Sequence, residues 1–129
     1  MRALLLMCMV VPLAACATTY GMPLSERSRS YRSTESLVWD AVLEAVDDVD
    51  LAAVQSDIEH GLVRARASGS IWDLKGHEVT VVVRDLGDGR IRVDANASTV
   101  SEDQKVDFGR SKGLVRDFLS ALDRRMEAH

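Results

Sequence analysis

The side chain with the clearest chemistry in this sequence is the thiol of Cys16, a nucleophile toward electrophilic carbon. It follows Leu13-Ala14-Ala15, at the end of an apolar run that begins at Ala3. Other reactive groups are sparse. His60 falls in a turn, His77 at a strand start and His129 at the chain end, none with a second ligand at metal-binding spacing. Asp47, Asp48 and Asp50 gather near a helix end, where acids serve solvation rather than paired proton transfer. Ser111 and Ser120 lack both a neighbouring base and the glycine pattern of a nucleophile elbow. The expectation is a protein that is not an enzyme, with no catalytic residue, no cofactor and no metal.

Met1-Arg2 gives a short positive start, Ala3 to Leu13 is greasy, and polar sequence follows Cys16. A membrane-spanning helix needs about 20 apolar residues. This run is too short and fits a secretory leader. Leu13-Ala14-Ala15-Cys16 resembles the lipobox of bacterial lipoproteins. The resemblance implies cleavage between Ala15 and Cys16, a diacylglycerol on the Cys16 sulfur and acylation of the new amine. At about 0.8 kcal/mol per buried methylene, two or three acyl chains make a near-permanent anchor. Ala17, where an aspartate would retain the protein at the inner membrane, resembles the outer-membrane sorting pattern. The expected location is therefore the cell envelope, outer membrane facing the periplasm. An ordinary leader with an incidental cysteine is the alternative, and Cys8 lies inside the discarded segment either way.

Loss of residues 1–15 from the 129 would leave 114, enough for one small domain. Only Arg2 goes from the 16 basic residues, so 15 stand against 20 acids, a net charge of −5. That balance argues against a general nucleic-acid binder, which carries a basic stripe. With Cys16 given to lipid no disulfide can form, and a packed core must hold the fold. The expected organisation is a leader (1–15), a lipidated cysteine with a flexible tether (16–32), and an α+β domain (33–129). The tether carries Gly21, Pro23, several serines and Arg27, Arg29 and Arg32. Extended, 17–30 would reach roughly 45–50 Å. Ser28 to Arg32 has an alternative reading as a short edge strand.

Ser33 or Thr34 can cap a helix whose stripe is Val38, Val42, Ala45, Val46 and Val49, with Asp40, Glu44, Asp47 and Asp48 in water. The period then shifts to two. Leu51 to Ser56 is a weak strand. Val63, Ala65 and Ala67 share one face against Arg64 and Arg66, and Val79, Val81 and Val83 line up likewise. Asp85-Leu86-Gly87-Asp88-Gly89 is a hairpin signal. Ile91, Val93, Ala95 and Ala97 alternate with Arg92, Asp94 and Asn96. A closing helix over about 108–126 carries Val115, Phe118, Leu119, Leu122 and Met126. The expectation is a four-stranded antiparallel sheet with two helices packed on one face, in the order α-β-β-β-β-α.

Val38-Trp39-Asp40-Ala41-Val42, Gly61-Leu62-Val63, Val79-Thr80-Val81 and Leu86-Gly87-Asp88-Gly89 resemble a group of small bacterial lipoproteins of uncharacterised function. The layout is similar to the helix-grip domains of the BamC-type lipoprotein, an accessory of outer-membrane protein assembly. These are fold-forming positions and carry no chemistry. One departure is Ile71-Trp72-Asp73-Leu74, where a polar turn is expected. Continued alternation would put Trp72 with Arg66 on the outer face, and Leu74 beside Val82. Trp and Arg are enriched at interface centres, so Trp72, Leu74, Arg64, Arg66 and Arg92 form a candidate partner surface. The competing reading has Trp72 closing the end of the core. The arginine row Arg64, Arg66, Arg84, Arg90 and Arg92 reads either as a charged cover or as a binding face for carboxylates or phosphates. Two functions follow: a membrane-anchored, non-enzymatic interaction or scaffold module with an envelope protein partner, or a small-ligand or cell-wall binding module using the arginine face.

Overall fold

In the computed structural model, the described residues are 22–67, 76–99 and 110–129. Thr34 starts the first long helix as expected: its side-chain oxygen accepts the Leu37 N–H (3.2 Å), and Glu35 sits in the first turn. In chain order the elements are α1 (Leu24–Arg27), β1 (Ser28–Arg32), α2 (Glu35–Asp48), β2 (Leu51–Asp57), β3 (Leu62–Ala67), β4 (His77–Asp85), β5 (Arg90–Thr99) and α3 (Arg110–Ala128). The strands form one antiparallel sheet in the order β1-β5-β4-β3-β2.

The α+β class stands, but the expected count of four strands and two helices does not. The sheet has five strands and there are three helices among the described residues. The fifth strand, β1, comes from 28–32, the stretch read as the end of the tether or, alternatively, as a short edge strand; the second reading is the one the structure has. β1 pairs with β5 from Ser28↔Asp94 to Arg32↔Arg90. Met22, also expected in the tether, is 5% exposed and belongs to the core. The physical reason is that an edge strand needs apolar cover on one side only. The inward positions of β1 are Arg29 and Tyr31, whose polar ends find a partner on α3.

The core is the layer between one sheet face and the helices. Val63, Ala65, Val79, Val81, Val93 and Ala95 supply the sheet side, and Val38, Val42, Val115, Phe118 and Leu122 the helix side. Trp39, at 6% exposure, packs inside with them.

Turn chemistry sets the register. Asp85 accepts the Gly87 N–H and Asp88 the Arg90 N–H, while Gly87 and Gly89 take positive φ. Gly61 (φ 64) brings the β2–β3 turn against β4, where its carbonyl accepts the Val83 N–H at 2.7 Å. A Cβ there would run into the Val83 carbonyl. On β2 the pairing with β3 slips between Ala53 and Gln55, a bulge that leaves Val54 exposed.

Candidate functional site

The helices cover one sheet face and leave the other open to solvent. Strand register fixes what the open face presents. At the end nearest the start of β4, Arg66, Glu78 and Ser98 lie side by side across β3, β4 and β5. The next rank is Arg64, Thr80 and Asn96, and the next Leu62, Val82, Asp94 and Ser28. At the hairpin end come Arg84, Arg92 and Ser30, and then Arg90 opposite Arg32.

The two ends differ electrostatically. Arg64 donates to Glu78 at 2.8 Å and to Gln55 at 2.8 Å, and Arg66 lies 3.6 Å from the same carboxylate. At that end both guanidinium groups have a carboxylate within pairing distance, the one they share. At the hairpin end Arg92 pairs with Asp94 (2.8 Å), and Asp94 also accepts the Ser28 hydroxyl. Arg90 pairs with Asp88 at 2.8 Å, which holds the Asp88 carboxyl below the ordinary carboxylate range. The side chains of Arg32 and Arg84 make no ion pair or hydrogen bond among the described residues. Arg84 faces Arg92 and Arg32 faces Arg90 directly across strands. Like charges so placed repel, so four guanidinium groups crowd at this end with two carboxylates, Asp88 and Asp94, to answer them.

Of the expected partner surface, Arg64, Arg66 and Arg92 are among the described residues. Arg64 and Arg66 are neighbours at one end, and Arg92 sits at the other among arginines. Trp72 and Leu74 lie outside the described residues, as do Ala15 and Cys16. Arg32 joins the open face because Ser28 to Arg32 takes the alternative of the two sequence readings, an edge strand rather than the end of a tether. The alternation of Ser28, Ser30 and Arg32 against Arg29 and Tyr31 was the available signal.

A second polar cluster joins β1 to α3. The Tyr31 hydroxyl donates to Asp123 at 2.6 Å and Arg29 Nε donates to its other oxygen at 3.1 Å. Burial, and then the Asp123 carboxylate, push the Tyr31 hydroxyl far above its ordinary pKa, so it stays a donor and never serves as a base. Tyr31, Arg32, Asp123, Met126 and Glu127 line a shallow, open cleft of about 340 Å³. It holds no nucleophile–base pair.

The remaining sequence candidates are scattered. His60 binds Asp57 at 2.7 Å within its turn, and that bond lowers the Asp57 pKa. His77 is buried as the first inward residue of β4, and His129 lies 3.4 Å from Glu44. Asp48 receives both nitrogens of a fork from Arg125 at 2.7 Å, which lowers its pKa and ties α2 to α3. Asp50 adopts φ 60 at the α2–β2 junction, an irregularity that aspartate tolerates. Ser111 is buried with no hydrogen-bond partner for its hydroxyl among the described residues, and Ser120 is exposed. Among the described residues no three His, Cys, Asp or Glu side chains stand together as a metal site, and no helix is long and apolar enough to cross a membrane.

No protein-family model matches the chain, and no curated protein does. Solved structures match its fold. The adenylate sensor of AMP-activated protein kinase, crystallised with a ribofuranotide, aligns with a TM-score of 0.55 at 11% identity, over 74% of this chain and 94% of that one. The di-domain aromatase/cyclase StfQ of steffimycin biosynthesis aligns with a TM-score of 0.51 at 8% identity, over 74% of this chain and 42% of that one. At such identities the likeness is one of fold alone.

Proposed function

We propose that the chain is a lipoprotein of the bacterial cell envelope, anchored through Cys16 and serving as a non-enzymatic interaction or scaffold module. The observation that carries this reading is Leu13-Ala14-Ala15-Cys16, closing an apolar run too short to span a bilayer. Ala17 favours the outer membrane, with the domain facing the periplasm. The resemblance to small lipoproteins and to BamC-type helix-grip domains supports an envelope protein as partner. The experiment is to fractionate cells expressing the native chain and the Cys16→Ser variant, and to weigh the membrane-extracted protein. Native protein in the membrane fraction, heavier than its residues by two or three acyl chains, together with a soluble or leader-bearing variant, is the expected result. An unacylated native chain that retains residues 1–15 ends the reading.

The crowding of Arg32, Arg84, Arg90 and Arg92 favours a second reading, a binding module for an anionic ligand on the open face. Retention on purified cell wall, lost when these arginines are neutralised, would select it. Crosslinking in intact cells to one protein through the Trp72 stretch would select the scaffold.

A further inference from the structure

The charges of the domain are unevenly divided between its faces: helices α2 and α3 together carry eight acidic against five basic residues. Helix α2 carries Glu35, Asp40, Glu44, Asp47 and Asp48 and no basic residue. The open sheet face carries Arg32, Arg64, Arg66, Arg84, Arg90 and Arg92 against Asp57, Glu78 and Asp94. The surplus lies at the hairpin end. There Asp94 and Asp88 answer Arg92 and Arg90, Asp85 is turned to the Gly87 N–H, and Glu127 lines the cleft next to Arg32. Arg32 and Arg84 still have no counter-charge within pairing distance among the described residues. Two like-charge pairs are thus kept in an acidic protein, on its one uncovered sheet face.

A length constraint adds to this. Met22 is packed into the core, so only six Cα steps separate it from Cys16. Fully extended they span about 20 Å. The chain enters beside the β1 edge, where α1 packs against β1, β5 and α3. A leash of that length rounds one sheet edge but does not lift a domain clear of a bilayer. Some face must rest on the lipid surface, and the helix layer of α2 and α3, net acidic even with Arg125 paired to Asp48 and Glu44, is repelled by anionic headgroups.

We propose that the open sheet face lies on the membrane, with Arg32, Arg84, Arg90 and Arg92 binding the phosphates of anionic lipid headgroups. The proposal rests on the reading of Cys16 as the anchor. Guanidinium forks suit phosphate oxygens, and the occupant that the charge pattern and the short leash jointly select is the bilayer itself.

The test uses the acylated protein extracted from membranes and reconstituted into vesicles of phosphatidylcholine alone or with phosphatidylglycerol. Each arginine is then footprinted with an arginine-specific dicarbonyl reagent and read by mass spectrometry. Arg32 and Arg84 should react about fivefold more slowly on the anionic vesicles, the occupancy expected from about 1 kcal/mol per basic residue at such a surface. Arg116 and Arg124, exposed on α3, should react equally on both. In R32Q/R84Q the protection of Arg90 and Arg92 should fall, whereas the charge-matched R116Q/R124Q should retain it. Equal footprints on the two vesicles, or equal effects of the two double variants, overturn the proposal and leave the anchor standing. Protection by millimolar inorganic phosphate on neutral vesicles would make this a soluble-anion site and overturns the membrane assignment. An extracted chain whose Cys16 bears no lipid removes the anchor and the proposal with it, and the mass alone reports that outcome.

Discussion

On β4, Val79, Val81 and Val83 turn under the helices and are shut off from water, while Thr80, Val82 and Arg84, each one residue further on, turn outward. The inner residues are small, branched and interchangeable in character, because what they contribute is area removed from water. The outer ones are individual: an arginine bound to Glu78 at one end, an arginine facing another arginine at the other. A fold can be held by one face of a sheet and leave the other free to carry charge arrangements that stability does not require. Function is sought where the arrangement costs the fold something.

Five substitutions probe this division. Phe118→Ala, at a residue with 0% exposure beneath the sheet, should be the most damaging, at about 3–5 kcal/mol, read by chemical denaturation. Gly61→Ala should follow at about 2–3 kcal/mol, since a positive-φ site and a Cβ directed at the Val83 carbonyl force β3 and β4 apart. A loss as small as that of a surface change would mean that the inner face tolerates a loosened turn.

Asp123→Asn weakens the tie of β1 to α3 and should cost about 1–2 kcal/mol, with fraying at β1 seen first in amide exchange. The same tie sets an alkaline limit. Tyr31 is held neutral in the folded chain, so its contribution is complete below the ordinary tyrosine value of 10.0 and is lost as pH rises beyond it. The fold should weaken above that pH in the native chain and not in Tyr31→Phe. Arg84→Gln should have the smallest effect and the opposite sign, stabilising by about 0.2–0.5 kcal/mol through relief of the repulsion from Arg92. A destabilised Arg84→Gln would make the open face structural and erase the contrast.

The inner face was legible in the sequence because alternation of Val, Ala and Ile has only one physical cause at this length, a half-buried strand. The Thr34 cap and the Asp85–Gly89 turn were legible because their bonds are local, closing within three residues. β1 was not. Its inward side chains, Arg29 and Tyr31, are acceptable there only because Asp123 waits 94 and 92 residues away. Met22 sits in no periodic run, so nothing nearby in the chain marks it as core. Of the candidate site, the placing of Arg64, Arg66 and Arg92 on one face followed from parity alone. Which arginine is neutralised, and by what, depends on cross-strand register, and register is not written in either strand by itself. Arg64 meets Glu78 across fourteen positions, and Arg84 meets Arg92 only because the hairpin closes where it does.

The slipped pairing in β2 bears on how such molecules behave when crowded. With β1 at one end of the sheet, β2 is the other rim, and its Ala52, Ala53 and Val54 are uncharged and exposed. A neighbouring copy that tried to extend the ladder there would find the spacing of N–H and C=O groups broken after Ala53. An irregular rim of this kind opposes edge-to-edge pairing between copies of the chain.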